Sequence, residues 1–327
     1  MRKTTLLLSA TLAIMAFFNA CSTDVDLYAD YKDITIVYGV LDADADTNFV
    51  KINKAFLGPG DATHISQIPD SSNYPGKLDA RIVEYVNGDI NRELILDTIT
   101  IHDKDSGDFY APNQLLYYTT EQIHAGSSYE YKLIINKTND TVTATTKVVG
   151  GDGFNVYTGI MNFSSTATSG VVKWYPASNA AMYNVTFRFE YTEVLSGDST
   201  NKDMEWSLGT FAINDLTMEE GCFCVPYEPT AFFNYLRNDL GADTITSSKR
   251  YVGPFHITIA AGGTELYNYI SVNEPSSSIV QSIPEYTNIN GGYGVFSSRT
   301  MINRTVRLSS QTVTELYAKG WGFVQGK

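Results

Sequence analysis

Cys222 and Cys224 flank a single phenylalanine, and two thiols at that spacing could hold a metal, exchange electrons or close a disulfide. Residues i and i+2 of a strand put their Cα atoms about 6.5–7 Å apart, the edge of disulfide reach. A strained bridge, a thiolate metal pair and two buried free thiols are all open, and the structural readings are favoured. Asp42, Asp44 and Asp46 alternate ahead of Thr47 and Asn48, and oxygen ligands at alternate positions suit calcium. Thr47 stands where a calcium loop needs Gly, and Asn53 where it needs a bidentate Glu. The run therefore reads as an acidic hairpin between two strands. His64, His102, His124 and His256 are scattered, and none has a second His at metal-ligand spacing. No zinc-peptidase helix, nucleophile elbow or phosphate loop is present. No catalytic, cofactor-binding or metal set is expected from these residues, and no cofactor. A glycosidase carboxylate pair meets only in the fold, so the 36 acidic residues decide nothing about it.

The remaining cysteine stands in a different setting. Arg2 and Lys3 give a positive start, Thr4 to Phe18 is apolar and uncharged, and Ala20 directly precedes Cys21. These are the parts of a secretory signal. The apolar run is about 15 residues, and a transmembrane helix needs roughly 20. Phe18-Asn19-Ala20-Cys21 resembles a bacterial lipobox, with Phe18 in place of the usual Leu. The expectation is a signal peptide over residues 1–20, diacylation of Cys21 and an outer-membrane lipid anchor, on the periplasmic face or the cell surface.

Composition limits the partners. The formal net charge is −13, and loss of Arg2 and Lys3 with the signal leaves −15. A chain this acidic does not neutralise phosphates, so nucleic acid is excluded as an expected partner. Anionic membrane surfaces would repel it, which leaves lipid at Cys21 as the tether, since two acyl chains anchor stably where one does not. The 22 tyrosines and 16 phenylalanines, with many Thr, Val and Ile, favour strands.

The elements follow from this bias. Residues 21–33 read as a polar tether. Strands are expected over Ile34–Leu41, Asn48–Leu57, Leu78–Val86, Glu93–Ile101, Leu115–Thr119, Ser128–Asn136 and Thr141–Val149. In the second of these, Phe49, Lys51 and Asn53 share one side. Gly58 to Gly76 reads as a long loop, Asn87-Gly88 as a tight turn and Thr120 to Ala125 as one helical turn. Seven short strands describe an antiparallel sandwich over residues 34–149. Gly150-Gly151-Asp152-Gly153 is the expected domain boundary. A second β-rich domain over residues 154–327 opens with Val171–Pro176 and Tyr183–Tyr191, read as a strand pair with Trp174 in its core. Phe232, Phe233, Leu236 and Leu240 predict a helix over residues 229–240, and Ser310 and Gly320 bracket another over residues 311–318. Tyr251 to Ala261 is a further strand. The fold class is mostly β, two sandwiches resembling fibronectin or immunoglobulin modules, the second with added α-helices.

Asp97-Thr98-Ile99, Asp140-Thr141-Val142 and Asp243-Thr244-Ile245 share one pattern. They resemble acceptor sites of O-glycosylation in exported Bacteroidota proteins, which would place glycans on Thr98, Thr141 and Thr244. The same pattern is common at strand starts. Near the C-terminus, Asn273-Glu274-Pro275 and the block Gln281–Arg299, which includes Pro284-Glu285-Tyr286-Thr287-Asn288 and Gly291-Gly292-Tyr293-Gly294, resemble the closing block of a Bacteroidota outer-membrane lipoprotein family of unknown function. Its members are often encoded near TonB-dependent receptors. The resemblance implies a binding or accessory role beside an outer-membrane transport receptor and supplies no catalytic residues. The block itself reads as a latch packing Tyr286, Tyr293 and Phe296 onto the second domain. Two further classes compete: an adhesin or pilus-type surface subunit, and a glycan-acting enzyme with an unrecognised carboxylate pair. A binding role predicts exposed aromatics on loops such as Gly58–Gly76 or Pro275–Pro284.

Cys21→Ala is expected to move the protein from the membrane fraction to the soluble periplasm or medium, followed by fractionation and labelled-palmitate uptake. A mutant that stays membrane-bound, with no label on the wild type, would refute the lipid anchor.

Overall fold

The computed structural model describes residues 33–55, 62–241, 248–273 and 285–326. Cys21, Thr244 and Pro275–Pro284 lie outside them. The first half supplies β1 (Thr35–Asp42), β2 (Asn48–Lys54), β3 (Asp79–Val86), β4 (Asp89–Ile95), β5 (Asp97–Ile101), β6 (Gln114–Thr119), β7 (Tyr129–Asn136) and β8 (Thr141–Lys147). The second supplies β9 (Asn155–Val156), β10 (Ile160–Met161), β11 (Gly170–Tyr175), β12 (Ala180–Leu195), β13 (Asp198–Ala212), β14 (Thr217–Glu219), β15 (Cys222–Tyr227), β16 (Lys249–Gly263) and β17 (Gly292–Leu308). Among the described residues five short α-helices are added: α1 (Ala62–Ser66), α2 (Pro69–Ser72), α3 (Ala231–Leu240), α4 (Thr264–Asn273) and α5 (Ser310–Ala318). The protein is mostly β, as its composition requires.

The strands make three sheets. A nine-stranded sheet runs β13-β12-β16-β17-β1-β2-β6-β5, with β10 also on β17. Four-stranded sheets of order β4-β3-β7-β8 and β14-β15-β11-β9 complete the set. Apolar residues at alternate strand positions turn to one face, so each small sheet can bury a face against the large one. Val37, Leu41, Val50, Ile52 and Tyr117 meet Ile82, Leu133, Ile135 and Val142 in the first core. Tyr183, Phe187, Phe255 and Ile257 meet Trp174, Phe223 and Tyr227 in the second, with Phe232 and Leu236 of α3 and Leu316 of α5. Val148 belongs to the first core and Val149 to the second, immediately before the Gly150–Gly153 segment. Both cores share the large sheet as one layer.

Strand β17 makes this sharing possible. Its first half pairs in parallel with β1, from Thr35 opposite Gly292 to Asp42 opposite Arg299. Its second half pairs antiparallel with β16, from Gly262 opposite Arg299 to Phe255 opposite Val306. Phe296 therefore packs in the first core and Val306 in the second. This corrects the latch reading: the block grips the N-terminal core, with Phe296 fully buried, Ile289 beside it and Tyr293 half exposed. The chain has no short loop linking β1 to β17, so no local pattern announced the pairing.

Other differences have local causes. Glu93–Ile101 is two strands, because the chain breaks at Leu96 and passes from a small sheet to the large one. The long loop contains α1 and α2 in its described part, and Thr120–Ala125 forms no helix. β11 and β12 are not a pair: β11 bonds β15 and β9, β12 bonds β13 and β16, and the two face each other across the core around fully buried Trp174. α3 buries the four apolar residues that predicted it. α5 is capped by Ser309, one residue before the expected Ser310, whose side chain accepts from Thr312 N at 3.1 Å. Asn87-Gly88 and Ser196-Gly197 each carry two successive positive φ angles, the geometry of tight hairpin turns.

Gly294 lies where β17 meets β1, at φ +110°, and a Cβ there would stand 2.0 Å from the Val37 carbonyl oxygen. Both the dihedral and the overlap exclude a side chain. Gly294→Ala is expected to destabilise the protein by about 3 kcal/mol or more, lowering the thermal midpoint by several degrees. An unchanged midpoint would mean that the junction tolerates separation.

Candidate functional site

A cavity of mixed polar and apolar lining opens on the outer face of the large sheet over β1, β2 and β6. Strand alternation builds its floor. Val37, Val50 and Tyr117 turn to the core, so Ile36, Tyr38, Lys51 and Asn53 must turn outward. Tyr38 stands directly opposite Lys51 across the β1–β2 pair, and Ile36 opposite Asn53. The walls come from the end of α2 and the segment joining β5 to β6, with Asn73, Lys104, Phe109 and Tyr110. The cavity holds about 490 Å³, in the range of small-ligand sites.

The segment joining β5 to β6 is bonded to the end of α1, just ahead of α2. Tyr110 N donates to the Ser66 carbonyl at 2.9 Å, Gln67 Nε2 donates to the Gly107 carbonyl at 2.6 Å, and Ser66 Oγ donates to the Asp108 carbonyl. Lys104 Nζ donates to the carbonyls of Tyr110 at 2.8 Å and Phe109 at 3.3 Å, and lies over the Phe109 ring. Asn53 Nδ2 donates to the Ser72 carbonyl and to Asn73 Oδ1, which fixes its amide orientation. Asn53 Oδ1 then faces no donor among the described residues, although it is buried. Tyr38 is steadied from the other side by Tyr269 of α4, edge to face at 6.1 Å with the hydroxyls 3.4 Å apart. Lys51 has no ion pair or hydrogen bond among the described residues. Its pKa is lowered, first by burial and then by the charge of Lys104. The lining offers cations, carboxamides and aromatic rings, and none of the described lining residues is Asp or Glu.

A second polar cluster lies inside the first core. The Glu84 carboxylate is wholly buried on β3. It accepts from Arg92 Nε at 3.1 Å and Nη2 at 3.0 Å, from Asn91 Nδ2 at 2.6 Å and from the Tyr131 hydroxyl at 2.5 Å. His124 Nδ1 stands 2.9 Å from it, and the His124 ring stacks on Tyr129. Burial alone would raise the Glu84 pKa. The donors from Arg92, Tyr131, His124 and Asn91 outweigh it and hold the carboxyl down to about 2. Every acceptor lobe is occupied, so the group is suited to bracing β3, β4 and β7 rather than to moving protons.

The residues singled out from sequence are dispersed. Cys222 and Cys224 are buried free thiols on β15, and burial raises the Cys224 pKa, which disfavours its thiolate. The acidic run closes the β1–β2 hairpin: Asn48 Oδ1 accepts from Asp42 N, Asp42 Oδ1 accepts from Asp44 N, and Asp44 accepts from Thr300. Thr98 and Thr141 sit at strand starts, each with its N–H donated to the preceding aspartate at 2.8 Å. His64 is exposed on α1, His102 bonds Asn113, and His256 lies near Glu190 and Thr305. No three His, Cys, Asp or Glu among the described residues converge as a metal set. No helix among them is long and apolar enough to cross a membrane. The cavity aromatics come from β1 and the 102–113 segment, not from the loop expected to carry them. The one sequence signal for this site was the alternation of Phe49, Lys51 and Asn53.

Because its pKa is depressed, Glu84 contributes stability that is complete above pH 4.5 and is lost as pH falls toward 2. The loss is expected to reach up to about 3 kcal/mol. Glu84→Gln should cost about 3–5 kcal/mol near neutrality and flatten that acid limb, as read by denaturant unfolding across pH. An unaltered acid limb in the variant would refute this assignment.

No family model and no curated protein matches the chain. Among solved structures, a chain of a cytokine receptor complex aligns over 84% of this chain and 99% of its own, at 10% identity. The TM-score of 0.23 is too low for a shared fold to be drawn from it.

Proposed function

We propose that the protein is a cell-envelope lipoprotein that binds a small polar ligand on the outer face of its large sheet, beside an outer-membrane transport receptor, without turning it over. The envelope setting rests on the signal-like N-terminus with Cys21, and the receptor neighbour on the resemblance of the Gln281–Arg299 block. The observation that carries the binding role is the cavity of about 490 Å³ over Tyr38, Lys51 and Asn53. Asn53, Lys104 and Tyr38 are held by neighbouring backbone and side chains, so a ligand meets a site that is partly ordered already, which lowers the cost of binding. Hydrolysis of a glycosidic bond needs two facing carboxylates. The described lining of this cavity supplies none, which favours binding over the glycan-acting enzyme.

The test is ligand-observed NMR of the lipid-free mature chain against oligosaccharide and peptide panels, with every sample assayed afterwards for cleavage. Retention of at least one probe, without turnover, and loss of that retention in Tyr38→Ala is the expected result. Cleavage abolished by a single Asp or Glu substitution would replace this reading with the enzyme.

A further inference from the structure

We infer that the cavity takes an acidic sugar, its carboxylate or sulfate group seated at Lys51 and Lys104, its hydroxyls on the carboxamides and a ring face against Tyr38. This deepens the binding reading and rests on it.

Charge makes the first argument. The whole chain carries −13, yet Lys51, Lys54 and Lys104 line one cavity with no Asp or Glu among its described lining residues. Four other lysines are paired with carboxylates, Lys77 with Asp97, Lys137 with Asp33, Lys173 with Glu219 and Lys319 with Glu315, while Lys132, Lys147, Lys202 and Lys249 stand elsewhere on the strands, outside this cavity. None of the three cavity lysines has such a partner among the described residues. Lys104 spends its donors on two carbonyls, which fixes its position without removing its charge. Lys51 is half buried, near enough to Lys104 for the two charges to oppose each other, and makes no hydrogen bond among the described residues. Two like charges brought together at a partly desolvated surface are unfavourable, and an anion placed at both removes the penalty.

The remaining lining selects the body of the ligand. Asn53, Asn73, Asn113 and Gln114 present carboxamides, which both donate and accept. Sugar hydroxyls also do both. The buried Asn53 Oδ1, facing no donor among the described residues, is an acceptor suited to one of them. Tyr38, 44% exposed and held by Tyr269, offers a ring face for the C–H side of a pyranose. An extended peptide would instead look for a free strand edge. Here the site is a sheet face, and β1 and β2 are both interior strands whose backbone groups are already paired.

The experiment is isothermal titration calorimetry of the lipid-free mature chain with trigalacturonate, an unsaturated chondroitin sulfate disaccharide, 3′-sialyllactose, a neutral α-1,4-linked galactotriose and an acidic tripeptide. At least one acidic sugar is expected to bind at least tenfold more tightly than galactotriose and the tripeptide, and to weaken as salt is raised. Lys51→Met should lower that affinity about tenfold or more, and Lys51→Glu should abolish it. Lys249→Met, on β16, should leave it unchanged. The inference falls if galactotriose binds as tightly as every acidic sugar, if the tripeptide binds best, if no acidic sugar binds, or if Lys51→Met has no effect. Tight galactotriose binding that is lost in Tyr38→Ala would keep the cavity as a binding site and remove only the acidic selectivity. Cleavage of any sugar in the same samples would remove the binding reading itself.

Discussion

One strand is shared by two cores, and the rest of the architecture depends on that sharing. A sheet buries one face against another layer, and two small sheets side by side would ordinarily need two partners. Here the partner is a single sheet, closed in its middle by β17. Arg299 is the hinge of the arrangement, because it has Asp42 on one side and Gly262 on the other. Gly294 lets the backbones of β17 and β1 approach where a side chain would collide. The same pairing fixes β1 between β17 and β2, and with it the outward face that floors the cavity.

Each core also contains one buried charge cluster, built the same way. In the first, Glu84 is saturated by Arg92, Asn91, Tyr131 and His124. In the second, Arg250 is 1% exposed and donates to Glu193 and to the Trp321 carbonyl, which docks the chain end so that Phe323 packs on Phe189 and Tyr191. A buried pair of this kind adds little net stability over an apolar replacement, but removing one partner is costly. Such clusters therefore fix register and position. The cavity lysines differ, because none of the described residues that line their cavity is Asp or Glu, and the proposed acidic ligand rests on that difference.

Period-two alternation made most individual strands legible: Ser128–Asn136 matches β7 to within one residue, Tyr251–Ala261 matches β16 to within two at each end, and Asn48–Leu57 starts where β2 starts but runs three residues past its end. Helix α3 was legible because four apolar residues at helical spacing had to bury one stripe. What alternation does not encode is the partner. β11 and β12 looked like neighbours because they follow one another, yet they belong to facing sheets. β1 and β17 looked unrelated because some 250 residues separate them. The proposed binding site was nearly invisible for the same reason. Tyr38, Lys51 and Lys104 lie in three separate segments, and only the outward turn of Lys51 and Asn53 hinted that a polar face was being built. The acidic hairpin, by contrast, was readable, since its pattern is local and the bonds that close it, between Asp42 and Asn48 and between Asp42 and Asp44, are local too.

The late position of Ile289 and Phe296 in the chain sets the order in which the protein can mature. Both complete the N-terminal core, yet both emerge only after nearly all the chain has been made. Until then β1 has one flank paired, by β2, and one bare edge of eight residues. Long-range pairing of this sort is slow, because the intervening chain must be brought to order before the contact can reward it. A nascent or C-terminally clipped chain would thus present an open strand to its neighbours, the kind of edge that invites aggregation.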